Sequence, residues 1–369
     1  MKKKPIRILQ IVSSMNAGSG VLAVVLNWHQ YIDKSKVQFD YLYIVDTPVK
    51  NQAEIERLGG QYYKLPNPFK EPFKFLRASY RFFKTHRYHT IHSHITSLNL
   101  FFFPLAKLFG TKNIIQHAHG TKWSDKKLKG WRNYIMLHAV WPLITHKLAC
   151  SQLAGKFWYG ENFAVVNNGI DVEKFAYNPM VRAQKRKELG LENKFVVGNV
   201  GRFALQKNHS FLIDIFEQVA KQDPDAKLVL VGGGSLEEPI KARVTAKHLQ
   251  NAVIFLGVRQ DVPDLLQAFD ALCMPSLYEG LPVVGVEAQA AGLPGIFADT
   301  ITPEVLLLPS SRMLSLKDSA AVWAHQILSL KNQVRASGST VLRDKGFDIC
   351  QTAQQMQNFY EELGNNLCF

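Results

Sequence analysis

Two carboxylates eight residues apart, Glu279 and Glu287, stand in the stretch PSLYEGLPVVGVEAQAAGLP, residues 275–294. An apolar run, 271–274, ends at Pro275, and the pattern predicts a helix from near Leu281-Pro282 to Gly292-Leu293-Pro294. Proline at the first helical position and glycine just past the last is the usual asymmetry of helix ends. Glu279 then precedes the helix, where N–H groups without intrahelical acceptors and the positive dipole end attract anionic or hydroxyl-rich ligands. Glu287 follows about two turns in, roughly 10 Å along the axis at ~1.5 Å per residue. One bound molecule of sugar-nucleotide length could touch both. The same charges also suit a plainer pair, a helix-terminal charge and a solvated helix residue.

Three more groups could do chemistry. Arg202 and Lys207 follow the strand-like run 195–200. A guanidinium and an ammonium beside a strand's carboxyl end can neutralise a diphosphate, or be two surface cations. Two further strand-like runs, TIHSHIT (90–96) and NIIQHAHGTK (113–122), end in histidines and place His94, His117 and His119 at their carboxyl ends. Ligands bind outside those ends in open parallel sheets. An imidazole there suits hydroxyl binding or proton transfer, and equally a structural role. Finally, the strand 6–13 runs into NAGSG and a helix from about Val21. Strand, glycine-rich turn and helix is an arrangement in which backbone N–H groups can approach a phosphate, or merely a tight connection.

The elements that must position these residues alternate. Strands are expected at 6–13, 37–45, 90–96, 113–122, 145–151 and 164–171, then at 195–200, 227–232, 252–257 and 271–274. Helices fall between them, and 303–331 reads as helical throughout. Alternation carried through twice argues an α/β protein of two doubly wound, Rossmann-like domains facing across a cleft. The expected boundaries are 1–180 and 181–349, with a last helix in 350–369. The triplet Asp223-Pro224-Asp225 looks like a metal-binding Asp-x-Asp only on paper. It sits between a helix and a strand, where Pro and Asp ordinarily make a turn. No metal site is expected.

The words PSLYEGLPVV and EAQAAGLP, with the Glu-x7-Glu spacing, resemble the retaining glycosyltransferases of family 4. They are close to its capsular and exopolysaccharide members, and the likeness covers nearly the whole chain. It implies the GT-B fold, with an N-terminal acceptor-binding domain, a C-terminal nucleotide-sugar-binding domain and a final helix crossing back to the first. It also implies transfer of a sugar, with retention, from a nucleotide diphosphate donor, a UDP-sugar, to a lipid-linked or polysaccharide acceptor. By the same resemblance His119, Glu279, Arg202 and Lys207 form the catalytic set. Arg202 and Lys207 hold the diphosphate with Gly18, which makes a metal or other cofactor unnecessary. Gly257 and Val258 border the base, and Glu287 takes the ribose hydroxyls. Glu279 holds the sugar hydroxyls with the amides of Gly280, Leu281 and Val283, His119 orients the donor sugar, and His94 faces the acceptor. One turn departs from the family: Ala17-Gly18-Ser19-Gly20-Val21 stands where Arg-Gly-Gly-Ala-Glu is usual. Two alternatives fit the residues, a catalytically silent sugar-binding partner subunit and a GT-B-like sugar-nucleotide epimerase.

Composition sets the rest. The 369 residues are enough for two domains, and the 47% hydrophobic and 20% charged content is that of a globular chain. The longest apolar candidate for a membrane span, 98–109, is short and interrupted by Pro104 and Lys107. The four cysteines show no metal or redox spacing, which suits a reducing cytoplasm. Residues 1–180 hold 25 Lys+Arg against 10 Asp+Glu, while the remainder is near neutral. That asymmetry suggests an anionic partner for the first half. No nucleic-acid-binding motif accompanies the charge, so an anionic membrane surface is expected, with plain solubility as the alternative. Lys74, Arg77, Arg81, Lys84 and Arg87, at steps of three or four over 73–88, are its candidate contact. The expected location is the cytoplasm, peripherally at the inner face of the plasma membrane.

Overall fold

The computed structural model describes residues 4–15, 20–45, 52–124 and 127–365. They form two compact units, 1–169 with 349–369 and 170–348. The division thus falls at Gly169, ahead of the expected boundary near 180. The last helix, Ile349–Asn365, belongs to the first unit.

The first unit is built on seven parallel strands: β1 (Ile6–Ile11), β2 (Val37–Tyr43), β3 (Tyr62–Lys64), β4 (Thr90–Ser93), β5 (Asn113–Ala118), β6 (His146–Ala149) and β7 (Ala164–Val165). Their order is β3-β2-β1-β4-β5-β6-β7. Helices cover both faces of such a sheet, so its strands lack polar alternation. All seven residues of β2, VQFDYLY, are buried. The buried Asp40 carboxylate accepts from Arg7 Nε at 2.8 Å, from the Tyr88 hydroxyl at 2.7 Å and from the Gln61 backbone N–H at 2.8 Å. A charge at that depth needs such partners.

The second unit repeats the scheme with β8 (Val196–Val200), β9 (Lys227–Val231), β10 (Val253–Phe255), β11 (Ala271–Met274), β12 (Gly295–Ala298) and β13 (Arg312–Leu314). The order is β10-β9-β8-β11-β12-β13, again all parallel. In each unit the order reverses beside the first strand, between β1 and β4 and between β8 and β11. That switch point opens a crevice at the strands' carboxyl ends.

Three readings of the sequence change. Residues 303–331 are not one helix: a 3-10 turn (Pro303–Val305), strand β13 and a helix (Ala320–Leu328) share the span. The three-residue β13 pairs with β12 at the sheet edge, and a strand that short leaves no period to recognise. A helix, Asn99–Leu108, runs straight through Pro104. The basic helix spans Pro72–Thr85, so Arg87 lies beyond its end. The Asp223 and Asp225 carboxylates part company, pairing with Lys331 and Lys194 respectively.

Candidate active site

In the second unit the predicted site residues gather at the carboxyl ends of the strands around the switch point. After β11 the chain enters the loop 275–282 and then the helix Val283–Ala290, capped by Gly292 at φ +64°. A Cβ on Gly292 would stand 1.8 Å from the Ala336 carbonyl oxygen, so no other residue fits there undisturbed. Gln206 holds the loop. Its carbonyl accepts from Leu277 N–H at 2.8 Å, and its side-chain amide donates to the Tyr278 carbonyl at 3.1 Å. Thr300 adds a 2.6 Å bond to the Ser276 carbonyl.

This loop delivers Glu279 to Lys207. Lys207 Nζ lies 2.6 Å from Glu279 Oε1, with the two side chains 17% and 11% exposed. A pair so far removed from water keeps much of its attraction, and each charge needs the other. The lysine stem runs along Gly201, where a Cβ would meet its Cε at 3.1 Å. Arg202 follows on the exposed side of the same turn. Beyond β9, Gly232 packs so tightly that a Cβ would sit 2.1 Å from the Gly201 carbonyl oxygen. Its N–H donates to the Gly257 carbonyl at 2.8 Å, and Val258 beyond it is exposed. Gly280, Leu281 and Val283 lie between Glu279 and the first helical turn. Glu287 is partly buried in the second turn. Loss of hydration pushes its carboxyl up to about 7, with Lys174 pulling the other way. Sequence reasoning missed Gln206 and Gln289. The Gln289 side-chain oxygen Oε1 accepts from the Leu307 and Leu308 N–H groups, each at 2.9 Å, and ties the helix to the following loop.

In the first unit, β4 and β5 each lead into a His-x-His pair. Side chains two apart on a strand share a face. His92, His94, His117 and His119 therefore stack, with ring centroids 4.3 Å apart within each pair and 5.3 and 5.0 Å between pairs. His94 Nδ1 meets His119 Nε2 at 2.8 Å, and His94 Nε2 meets Gln10 Oε1 at 2.9 Å. Both ring nitrogens of His94 are thus engaged within the unit. Burial pushes all four imidazoles down, His119 to about 3, so they are neutral at pH 7. His119 makes its bond to His94 through Nε2. The repeated His-x-His spacing was the signal for His92, which had been read only as part of a strand. Gly18 lies outside the described residues.

The family description "Glycosyl transferases group 1" matches residues 181–333. The chain is 33% identical to EpsF of Bacillus subtilis (strain 168), a protein named as a glycosyltransferase, across 96% of each. It is 31% identical over 238 residues to the UDP-Gal:alpha-D-GlcNAc-diphosphoundecaprenol alpha-1,3-galactosyltransferase of Escherichia coli, covering 61% of this chain and 62% of that one. Among solved structures, Anabaena Alr3699/HepE in complex with UDP-glucose shares its fold at a TM-score of 0.81 and 20% identity, over 96% of this chain and 99% of that one.

Proposed function

The chain belongs to the glycosyl transferases group 1 family, with the GT-B fold, and on that premise we propose that it moves a hexose from a UDP-sugar to a lipid-linked or polysaccharide acceptor in cell-surface polysaccharide synthesis. The observation that carries this reading is the Lys207–Glu279 pair at the switch point of the second unit. With no donor bound, each charge neutralises the other. An arriving diphosphate draws Lys207, together with Arg202, onto its oxygens and frees the Glu279 carboxylate to accept from sugar hydroxyls. When the bond from the anomeric carbon to the diphosphate oxygen breaks, the electron pair stays with the phosphate, where both cations stabilise it. The acceptor hydroxyl bonds to the anomeric carbon on the same face and passes its proton to that phosphate oxygen, which retains the configuration. Glu287 takes the ribose hydroxyls. In the first unit His119 orients the donor sugar through Nδ1. His94 meets the acceptor only by giving up one of its two present hydrogen bonds.

Membrane docking is the second part of the reading. The helix Pro72–Thr85 buries Phe75, Ser79, Phe82 and Phe83 and leaves Phe73, Leu76 and Tyr80 exposed among Lys74, Arg77, Arg81 and Lys84. A second helix, Lys127–His138, exposes Leu128, Trp131 and Ile135 beside Lys129 and Arg132. The Arg132 guanidinium of the second helix lies 5.6 Å over the ring of Phe69, an exposed residue just ahead of the first helix. Large apolar side chains interleaved with cations suit an anionic lipid interface, where a lipid-linked acceptor would be met. Among the described residues no helix is long and apolar enough to cross a membrane.

The purified chain, screened against UDP-sugars by thermal shift, is expected to be stabilised by one of them and to hydrolyse it slowly without acceptor. A Lys207→Met variant should do neither. Absence of both shift and hydrolysis across the panel sinks the transferase reading in favour of a silent subunit.

A further inference from the structure

The inner pair of the histidine cluster has no part in sugar transfer as proposed. His92 and His117 are 0% and 1% exposed, beneath Trp28 and against Tyr360. One ring nitrogen from each of His92, His94 and His117 lies within 4.8 Å of the other two. We propose that these three imidazoles form a binding site for a divalent transition-metal ion, with Zn²⁺ as its natural occupant.

The donor set selects the ion class. Three imidazoles and no carboxylate favour zinc and its neighbours over Mg²⁺ or Ca²⁺, which seek oxygen. Spacing is close to what is needed. His92 Nε2 and His117 Nδ1 are 3.2 Å apart, and two nitrogens bound at ~2.0–2.1 Å to tetrahedral zinc stand roughly 3.3 Å apart. The third nitrogen has to close by a shift of ring torsion alone, since His94 already shares a strand end with His92.

The surroundings are those of a supported metal site. Histidine ligands are ordinarily oriented by a hydrogen bond from the ring nitrogen that faces away from the ion. The Tyr360 hydroxyl lies 2.6 Å from His92 Nδ1, and the Gln10 amide oxygen lies 2.9 Å from His94 Nε2. Gln10 Nε2 in turn donates to Tyr360 at 3.1 Å, so both acceptors belong to one fixed network. Protons held on those outer nitrogens turn lone pairs inward. His117 must then carry its proton on Nε2. That nitrogen is buried and makes no hydrogen bond, so the change breaks nothing there. The bonds lost are those between His92 and His117 and between His94 Nδ1 and His119 Nε2, replaced by three bonds to the ion. Zinc with three histidine ligands leaves a fourth position for water, and His119, released from its bond to His94, stands beside the site. The ion would pin the carboxyl ends of β4 and β5, from which His94 and His119 project. This site is unrelated to the diphosphate cations, which lie in the other unit.

The test reads binding rather than turnover, so its failure leaves the transferase reading intact. Untagged full-length protein, stripped with chelator, is titrated with Co²⁺ and followed by visible d–d absorption, then competed with Zn²⁺. One Co²⁺ per chain with the intense bands of a four-coordinate complex, displaced by Zn²⁺, is the expected result. His92→Gln with His117→Gln should lower affinity more than a hundredfold, with far-UV circular dichroism confirming the fold. Tyr360→Phe removes the hydroxyl that supports His92 directly and His94 through Gln10 and should weaken binding by about 10–100-fold. That variant carries the test if the double variant does not fold. Weak, octahedral-type absorption, or equal affinity in wild type and Tyr360→Phe, overturns the proposal.

Discussion

Glu287 shows how a single desolvated carboxyl links folding to ligand binding. Its value rises from 4.5 to about 7 in the folded chain. Between those two values the native state binds more protons than the unfolded one. Stability from this group is therefore complete below 4.5 and lost as pH rises through 7, by at most on the order of 3 kcal/mol. Glu287→Gln should flatten the corresponding fall in melting temperature between pH 5 and pH 8. The ionised form is the better acceptor for ribose hydroxyls, so UDP should bind more tightly as pH passes through 7. The amide variant should lose that slope and about 1.5–3 kcal/mol of affinity. Calorimetric titration of UDP decides it, and unchanged affinity removes Glu287 from the ribose. The Lys207–Glu279 pair behaves differently, because removing one partner strands the other. Lys207→Met is expected to destabilise the protein by up to about 3–5 kcal/mol. Adding Glu279→Gln should restore the melting temperature without restoring donor turnover; a double variant as unstable as the single would show that the pair is not coupled.

At the scale of the element, the two exposed helices of the first unit convert composition into a surface. Each Lys or Arg held near anionic lipid contributes about 1 kcal/mol, over a reach of ~8 Å at physiological salt. Reversing Arg77, Arg81 and Lys84 to Glu should release the chain from anionic vesicles while leaving UDP affinity as it was. Cosedimentation at rising salt measures this, and a variant that still pellets, or wild type that pellets equally with neutral vesicles, makes the charge a matter of solubility. The exposed Trp131 and Leu128 predict that some binding outlasts the salt, since apolar insertion is not screened.

For the whole molecule, the two units divide the labour by charge. Residues 1–180 carry +15 and the remainder −1 of the net +14, and the proposed donor residues Lys207, Glu279 and Glu287 stand in the near-neutral half. In the proposed function Arg202 and Lys207 supply the diphosphate with the positive charge that an ion would otherwise bring. Donor turnover is accordingly expected without added Mg²⁺ or Mn²⁺, and at the same rate with them. Initial rates with and without each ion test this, and turnover that begins only on addition would mean that the cations are misassigned. A zinc ion at the histidines would not alter that outcome.

Much of this was legible in the chain itself, because it depends on neighbours in sequence. Apolar runs between turn residues marked ten of the thirteen strands, missing β3, β12 and β13, and Leu281-Pro282 and Gly292 bracketed a helix that the structure places at Val283–Ala290. Local chemistry marked Arg202, Lys207, Glu279 and Glu287 as candidates, and the family resemblance gave them their expected roles. Only the tertiary structure decided who meets whom. The Lys207–Glu279 contact and the Gln206 clamp depend on β8 and β11 being adjacent, an outcome of strand order that no periodicity records. The four histidines become one cluster through the β4–β5 register and the return of Tyr360 on the last helix. The span 303–331 was misread for the same reason. A three-residue edge strand exists because β12 offers it hydrogen-bonding partners, and its own residues carry no sign of that.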